Sequence, residues 1–206
     1  MIGVIDYGLG NVKAILNIYN NLDIPAFAAS SKNELEKATS LILPGVGAFD
    51  WAIARLNKSG LRDRLDKLVM DNCIPVLGVC VGMQMMSYSS EEGEMDGLGW
   101  VEGKVKHFRS NAGSFKENMD VPHMGWNNIY VENKHRLFEG IEDNAGFYFL
   151  HSYYFLEKNK GQIISRTNYH GWFTSCFGKE NIVGVQFHPE KSHNLGVRLL
   201  QNFASI

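Results

Sequence analysis

The segment Pro75-Val76-Leu77-Gly78-Val79-Cys80-Val81-Gly82-Met83-Gln84 restricts the fold of this chain more than any other. Ile74 to Val79 is a short apolar run and reads as a buried strand, and Gly82 to Ser89 reads as a helix. The two are joined through a cysteine held between glycines, where Gly78 and Gly82 leave room that a Cβ would fill. A nucleophile on such a strand-to-helix turn projects from it, and the N–H groups that open the helix favour a thiolate and an oxyanion. Taken alone, a cysteine in this setting is more often a buried structural residue.

The surrounding pattern places the turn in a parallel sheet. Ile2 to Asp6 reads as a strand, the Tyr7-Gly8-Leu9-Gly10-Asn11 segment as a turn, and Val12 to Leu22 as a helix with Ile15, Leu16 and Tyr19 on its apolar face. Ala26 to Ala29 is a second strand. Ser31 with Glu34 three residues on marks a helix start. Leu41 to Leu43 is a buried strand stopped by Pro44-Gly45-Val46-Gly47, and Ala48 to Asn57 and Leu61 to Asn72 are helices. Short apolar strands alternating with amphipathic helices predict a parallel sheet covered on both faces. From Leu98 the texture changes. Leu98 to Phe108, Asn127 to Glu132, Gly146 to Phe155, Ile163 to Thr167, Trp172 to Phe177 and Ile182 to Phe187 read as antiparallel strands, and Asn194 to Ala204 as a closing helix. With 206 residues, no Ser/Gly-rich linker and no repeat, the chain reads as one α/β domain with a mixed sheet.

A net charge of −2 with scattered basic residues argues against nucleic-acid binding, and no apolar stretch approaches membrane-spanning length. The start reads as a first strand and not as a signal peptide. Cys73, Cys80 and Cys176 form no close pairs, which argues against a disulfide framework and a CxxC metal site and fits a reducing cytoplasm. No HExxH pattern or histidine pair marks a metal site, and no cofactor is expected. Gly8-Leu9-Gly10-Asn11 lacks the third glycine of a dinucleotide loop, since Lys13 stands there. Glu91-Glu92 reads from its residue types as a solvated helix end, and the aromatics from Phe147 to Phe155 as sheet core.

Val185-Gln186-Phe187-His188-Pro189-Glu190-Lys191-Ser192 alters the reading of Cys80. His188 and Glu190 follow a buried strand, positions i and i+2 of an extended segment face one way, and Pro189 biases His188 toward that geometry. A histidine oriented by a carboxylate can take the proton of a cysteine, the chemistry of acyl transfer through a thioester. In Pro44-Gly45-Val46-Gly47, two glycines would let a peptide N–H turn inward and, with the Val81 N–H, form an oxyanion hole; a plain tight turn is the alternative.

These motifs resemble those of class I (triad-type) glutamine amidotransferases and, within them, the glutaminase subunits that serve imidazole glycerol phosphate synthesis. Further matching segments are Asp6 to Asn11, Ser89 to Gly93, Val121 to Asn127 and Phe149 to Tyr154, in order along nearly the whole chain. The resemblance implies a flavodoxin-like three-layer α/β fold, with a mostly parallel mixed sheet, helices on both faces and antiparallel additions in the C-terminal half. It implies that Cys80 attacks the side-chain amide of L-glutamine, that His188 is general base and acid, and that Glu190 orients it. Val46 and Val81 N–H groups would hold the oxyanion, and Gly47, Gln84, Glu92, His151, Ser152 and Tyr153 would bind glutamine. It further implies a heterodimer with a (β/α)8-barrel cyclase that receives ammonia and makes imidazole glycerol phosphate and an aminoimidazole carboxamide ribotide. Asn11, Met124, Trp126, Asn127 and Lys191 match positions facing that cyclase. Val81 stands where leucine is common, Gly99-Trp100 replaces an aliphatic pair, and His107 to Asp120 matches poorly. Similar subunits also supply ammonia for nucleotide-sugar amination, and that acceptor stays open at this point. The readings from other classes are a stand-alone cysteine hydrolase or peptidase and a non-catalytic binding subunit. Gln84, Glu92 and the His151 run argue against the former, and the intact Cys80, His188 and Glu190 against the latter.

Overall fold

The computed structural model describes residues 1–110, 115 and 119–206. Part of the poorly matching segment, residues 111–114 and 116–118, lies outside the described residues. The strands are β1 (Ile2–Ile5), β2 (Ala26–Ala29), β3 (Ser40–Gly45), β4 (Val76–Cys80), β5 (Ser89–Ser90), β6 (Gly103–His107), β7 (His123–Asn128), β8 (Tyr130–Val131), β9 (Gly146–His151), β10 (Tyr153–Glu157), β11 (Ile163–Asn168), β12 (Trp172–Lys179) and β13 (Ile182–Val185). The helices are α1 (Val12–Asn21), α2 (Lys32–Leu35), α3 (Phe49–Ser59), α4 (Arg62–Asp66), α5 (Val81–Met85) and α6 (His193–Phe203).

The main sheet runs β2-β1-β3-β4-β13-β12-β11-β8. Its first five strands are parallel and the remaining three antiparallel. The chain steps outward from β1 to β2 and then back across to β3 and β4. Right-handed crossovers therefore put α1 on one face and α2, α3 and α4 on the other. α6 returns to α1, where the fully buried Tyr19 donates its hydroxyl hydrogen to Leu200 O at 3.0 Å. The five parallel strands are almost wholly apolar because both faces are covered, and β3 and β4 are buried at every position.

Several boundaries differ from the sequence expectation. β3 continues through Pro44 and Gly45, which pair with Val79 and Cys80. Proline is tolerated at this strand end because its missing N–H is not needed there. α5 stops at Met85 instead of reaching Ser89, and the helix after Leu61 widens into a π-type turn at Lys67–Asp71. Only Gly103–His107 of the Leu98 to Phe108 run is extended. Trp100 is instead a buried anchor, donating its indole N–H to Asp66 Oδ1 at 2.7 Å.

Two expected single strands are broken. Asn127 to Glu132 divides at Ile129 between β7 and β8, which belong to different sheets. Gly146 to Phe155 divides at Ser152: β9 pairs with β7 as a two-stranded ribbon, and β10 pairs with β6 in a small sheet, β10-β6-β5. Alternating apolar residues on either side of the break satisfy the strand period equally, so periodicity does not reveal the change of partner.

Tyr19→Phe removes the side-chain bond between α1 and α6 but leaves Leu200 O its bond from the Ala204 N–H. The expected cost is about 1 kcal/mol in urea unfolding, and a loss above ~3 kcal/mol would show that this contact does more than one hydrogen bond can.

Candidate active site

Cys80 closes β4 with φ 55° and ψ −112°, a backbone conformation that side-chain-bearing residues adopt rarely and at a cost of roughly 1–3 kcal/mol. Its surroundings enforce it. A Cβ on Gly82 would stand 1.9 Å from Leu43 O, and one on Gly45 would stand 2.2 Å from the Gly82 nitrogen. The end of β3 and the start of α5 thus touch backbone to backbone, which restricts the turn from β4 into α5 at Cys80. Gly47, at φ +83°, reverses the loop after β3 beside Cys80.

β13 lies parallel to β4 with Val185 opposite Val79, so the residues that follow β13 emerge next to Cys80. His188 is extended at φ −100°, and its Nδ1–H donates to Glu190 Oε1 at 2.9 Å, both side chains being buried. That leaves Nε2 for Cys80, which lines the same cleft and whose charge acts on the ring. The His188 segment is sewn to β9. Its N–H donates to Tyr148 O at 2.9 Å, and the buried Ser192 hydroxyl donates to His188 O at 2.6 Å while accepting the Tyr148 N–H at 3.0 Å. Burial alone would lower the His188 pKa. The nearby Cys80 charge, with the hydrogen-bonded Glu190 carboxylate, outweighs it and raises the value from 6.5 to about 10.

A cleft of about 280 Å³ opens over this line. Every residue expected to act on or bind glutamine lines it except Glu190, which sits behind His188: Val46, Gly47, Cys80, Val81, Gln84, Glu92, His151, Ser152, Tyr153 and His188. A larger cavity of about 580 Å³ lies between Val131 and Asp143. It is lined by none of the residues of the Cys80 cleft and holds no cysteine. Among the described residues no group of three or more His, Cys, Asp or Glu side chains is arranged to hold a metal ion.

Glu92 is no solvated helix end. Its Oε2 accepts the Phe49 N–H at 2.8 Å, at the start of α3. Burial raises its pKa, opposed by that bond and assisted by Asp50, so a cation entering the cleft would find a half-buried carboxylate short of counter-charge. Glu91 beside it pairs with Lys106 and accepts from Ser110 and the His107 N–H. Gln84 uses both hydrogens of its amide inside the protein, on Tyr153 O and Gln186 Oε1, each at 2.9 Å.

His151 belongs to a chain of bonds whose direction is determined. Its Nδ1 faces Tyr153 O at 2.8 Å, and a carbonyl only accepts, so Nδ1 carries the hydrogen. Burial, aided by the neighbouring His123, holds His151 well below its ordinary pKa; it is neutral, and its Nε2 accepts from His123 Nδ1 at 3.0 Å. Burial lowers His123 to about 4, and its Nε2 in turn accepts from Asn127 Nδ2 at 3.1 Å. His123 and His151 stand directly opposite in the β7–β9 ribbon, which is why their rings meet.

The residues matched to a partner face do not all share one. Met124 and Trp126 point outward from β7 and are 66% and 52% exposed, whereas Asn127 alternates to the inner side and bonds His123 and Asn168 O. Lys191 lines the cleft with its ammonium 5.7 Å from the Tyr148 ring, and Trp126 stacks on His193. Asn11 caps no helix through its side chain; it begins α1, which packs beside the Pro189–Lys191 turn. Gln186, Ser192, His123 and Tyr7, whose hydroxyl donates to Pro44 O at 2.8 Å, were not expected to serve the site. For Gln186 a signal was present: a polar residue inside the apolar run Val183 to Phe187 must have an internal partner.

Residues 4–205 match the class-I glutamine amidotransferase family. Imidazole glycerol phosphate synthase subunit HisH of Bdellovibrio bacteriovorus is 50% identical over 206 residues and that of Leptospira interrogans 47%, each over the full length of both chains. The HisH 2 subunit of Methanococcus maripaludis is 44% identical over 98% of both. The chain belongs to the HisH family of class-I glutamine amidotransferases. A solved glutamine amidotransferase superposes with a TM-score of 0.75 at 20% identity, covering 100% of this chain and 99% of its own. Another glutamine amidotransferase, from Thermotoga maritima, gives 0.62 at 18%, covering 97% and 80%. At that identity both speak for the fold alone.

Within a HisH-family frame the two local departures fit this chain's own packing. Val81 is buried at the elbow, and Trp100 fills the space beneath α4 while its carbonyl accepts from Lys179 Nζ at 3.0 Å. Because Cys80 is the largest influence raising the His188 pKa, His188 should be an imidazolium at pH 8 in the unaltered protein and neutral there in Cys80→Ala. Nitrogen-15 shifts of the ring decide this, and an imidazolium persisting in the variant would assign the effect elsewhere.

Proposed function

We propose that this chain is the glutaminase subunit of an imidazole glycerol phosphate synthase, hydrolysing L-glutamine through a Cys80 thioester and passing the ammonia to a (β/α)8-barrel cyclase in the cytoplasm. The observation that carries the chemistry is the buried line Cys80, His188, Glu190 at the floor of a cleft sized for a small metabolite. The relatives' names support the pathway, and nothing in the site favours sugar amination or peptide cleavage over it.

In this reading the Cys80 sulfur attacks the side-chain carbonyl carbon of glutamine, and the oxyanion meets the N–H groups of Val46 and Val81. His188, an imidazolium beside the thiolate, gives its proton to the departing amine, and the C–N bond breaks to leave ammonia and a thioester. Water then attacks the acyl carbon as His188 takes its proton, and glutamate leaves with the thiolate restored. Glu92 pairs with the α-ammonium, with Gly47, Gln84 and the His151-Ser152-Tyr153 segment closing round the amino acid. The exposed Met124 and Trp126, together with Lys191 at the cleft mouth, form an apolar and cationic face against which the cyclase docks. Hydrolysis is slow until docking completes the oxyanion hole.

Cys80→Ala should lower glutamine-dependent synthesis by the assembled enzyme a thousandfold or more, roughly the cost of losing a nucleophile, and leave ammonia-dependent synthesis intact. Loss of both would sink the assignment. Glu92→Gln should raise the KM for glutamine by about tenfold or more with a smaller change in kcat, as expected for losing one charged bond to the substrate. An unchanged KM would place the α-ammonium elsewhere.

A further inference from the structure

Gln186 is fully buried at the end of β13, one residue past the pair Val185–Val79, and so stands beside Cys80. Its carboxamide lies between Gln84 and the nucleophile: Oε1 accepts from Gln84 Nε2 at 2.9 Å, and Nε2 donates to Cys80 Sγ at 3.7 Å. The orientation is not interchangeable. Gln84 Nε2 also meets Tyr153 O, which only accepts, so the nitrogen of Gln84 is fixed there. The Gln186 atom facing that nitrogen must then be its oxygen, and its N–H is directed at the sulfur.

The sulfur has need of such a donor. The helix after Cys80 has five residues, too few to align much dipole. The Cys80 thiol lies 3.9 Å from Leu150 O, a carbonyl that can accept a thiol hydrogen and would repel a thiolate. On ionisation that bond disappears, and only N–H donors favour the anion. The ionisable groups round the sulfur are His188 with Glu190 behind it, neutral His151 on β9, and Tyr7 after β1, whose hydroxyl is held by Pro44 O; Glu92 and Lys191 stand at the cleft wall.

We propose that Gln186 is the second donor to the Cys80 thiolate, opposite His188, and that Gln84 and Tyr153 O hold its amide in the donating orientation. The inference rests on Cys80 being the nucleophile. It makes Gln186 a positioning and thiolate-stabilising residue, with the bonds Tyr153 O, Gln84, Gln186 and Cys80 tying the cleft wall to the reactive sulfur.

The test is the pH dependence of Cys80 alkylation by iodoacetamide in the full chain, read by peptide mass spectrometry so that exposed Cys73 does not interfere. Gln186→Met keeps the length and removes the donor. The midpoint of thiolate reactivity should rise by about one pH unit, making alkylation roughly tenfold slower at pH values below both midpoints. Val185→Ala, which loosens the same strand without facing the sulfur, should leave the midpoint in place. An unmoved midpoint in Gln186→Met, or an equal shift in both variants, overturns the proposal. Should Gln186→Met fail to fold, the side-chain amide nitrogen-15 resonance of Gln186 in the unaltered protein serves instead. It must titrate in step with Cys80, and an invariant resonance overturns the proposal. Glutamine hydrolysis surviving in Cys80→Ala would instead refute the nucleophile itself, whatever the alkylation profile shows.

Discussion

The structure hangs on a backbone contact between the end of β3 and the first turn of α5. Gly82 sits so close to Leu43 O that no side chain fits, and Gly45, two residues along the same strand, meets that turn at the Gly82 nitrogen. That contact holds Cys80 in its strained conformation. The strain persists because the strand ends on both sides over-determine it: β3 pairs with β4 through Cys80, and β13 pairs with β4 up to Val79. His188 and Gln186 arrive at the end of the neighbouring strand, so the C-terminal ends of two adjacent central strands bring the Cys80 thiol, the His188 imidazole and the Gln186 carboxamide together.

A second constraint is the burial of polar groups in an apolar interior. Ser192, Gln186, His123 and His151 are all buried, and each has its hydrogen-bonding capacity met by a specific partner. Because carbonyls only accept, two of these chains have a fixed direction. One runs from Asn127 through His123 and His151 to Tyr153 O, the other from Tyr153 O through Gln84 and Gln186 to Cys80. They meet at a single carbonyl, placed where β9 gives way to β10 at Ser152. The irregularity that ends β9 is therefore what shapes the wall of the cleft.

The parallel half of the fold was legible because buried parallel strands are short apolar runs bounded by turn residues, as at Ile2–Ile5 and Val76–Cys80. The antiparallel half was legible as strands but not as sheets. Nothing in the period of Gly146 to Phe155 tells that Phe149 pairs with Gly125 while Phe155 pairs with Val105. Glu92 reads as a solvated residue from its type and neighbours. Only the approach of α3, which brings the Phe49 N–H to it, makes it part of a pocket.

From its residues alone the chain declares a cysteine on a glycine-flanked strand-to-helix turn, a histidine and carboxylate two positions apart after a buried strand, and a largely parallel sheet to carry them. These are local facts, written in steric room and in periodicity. The tertiary structure alone decided that Gln186 reaches the sulfur, that Asn127 turns inward while Met124 and Trp126 face out, and that His123 and His151 share a hydrogen bond. Each of these depends on the register between strands far apart in sequence. Register is set by the packing of the whole sheet, and a one-residue slip would turn every one of these side chains to the opposite face.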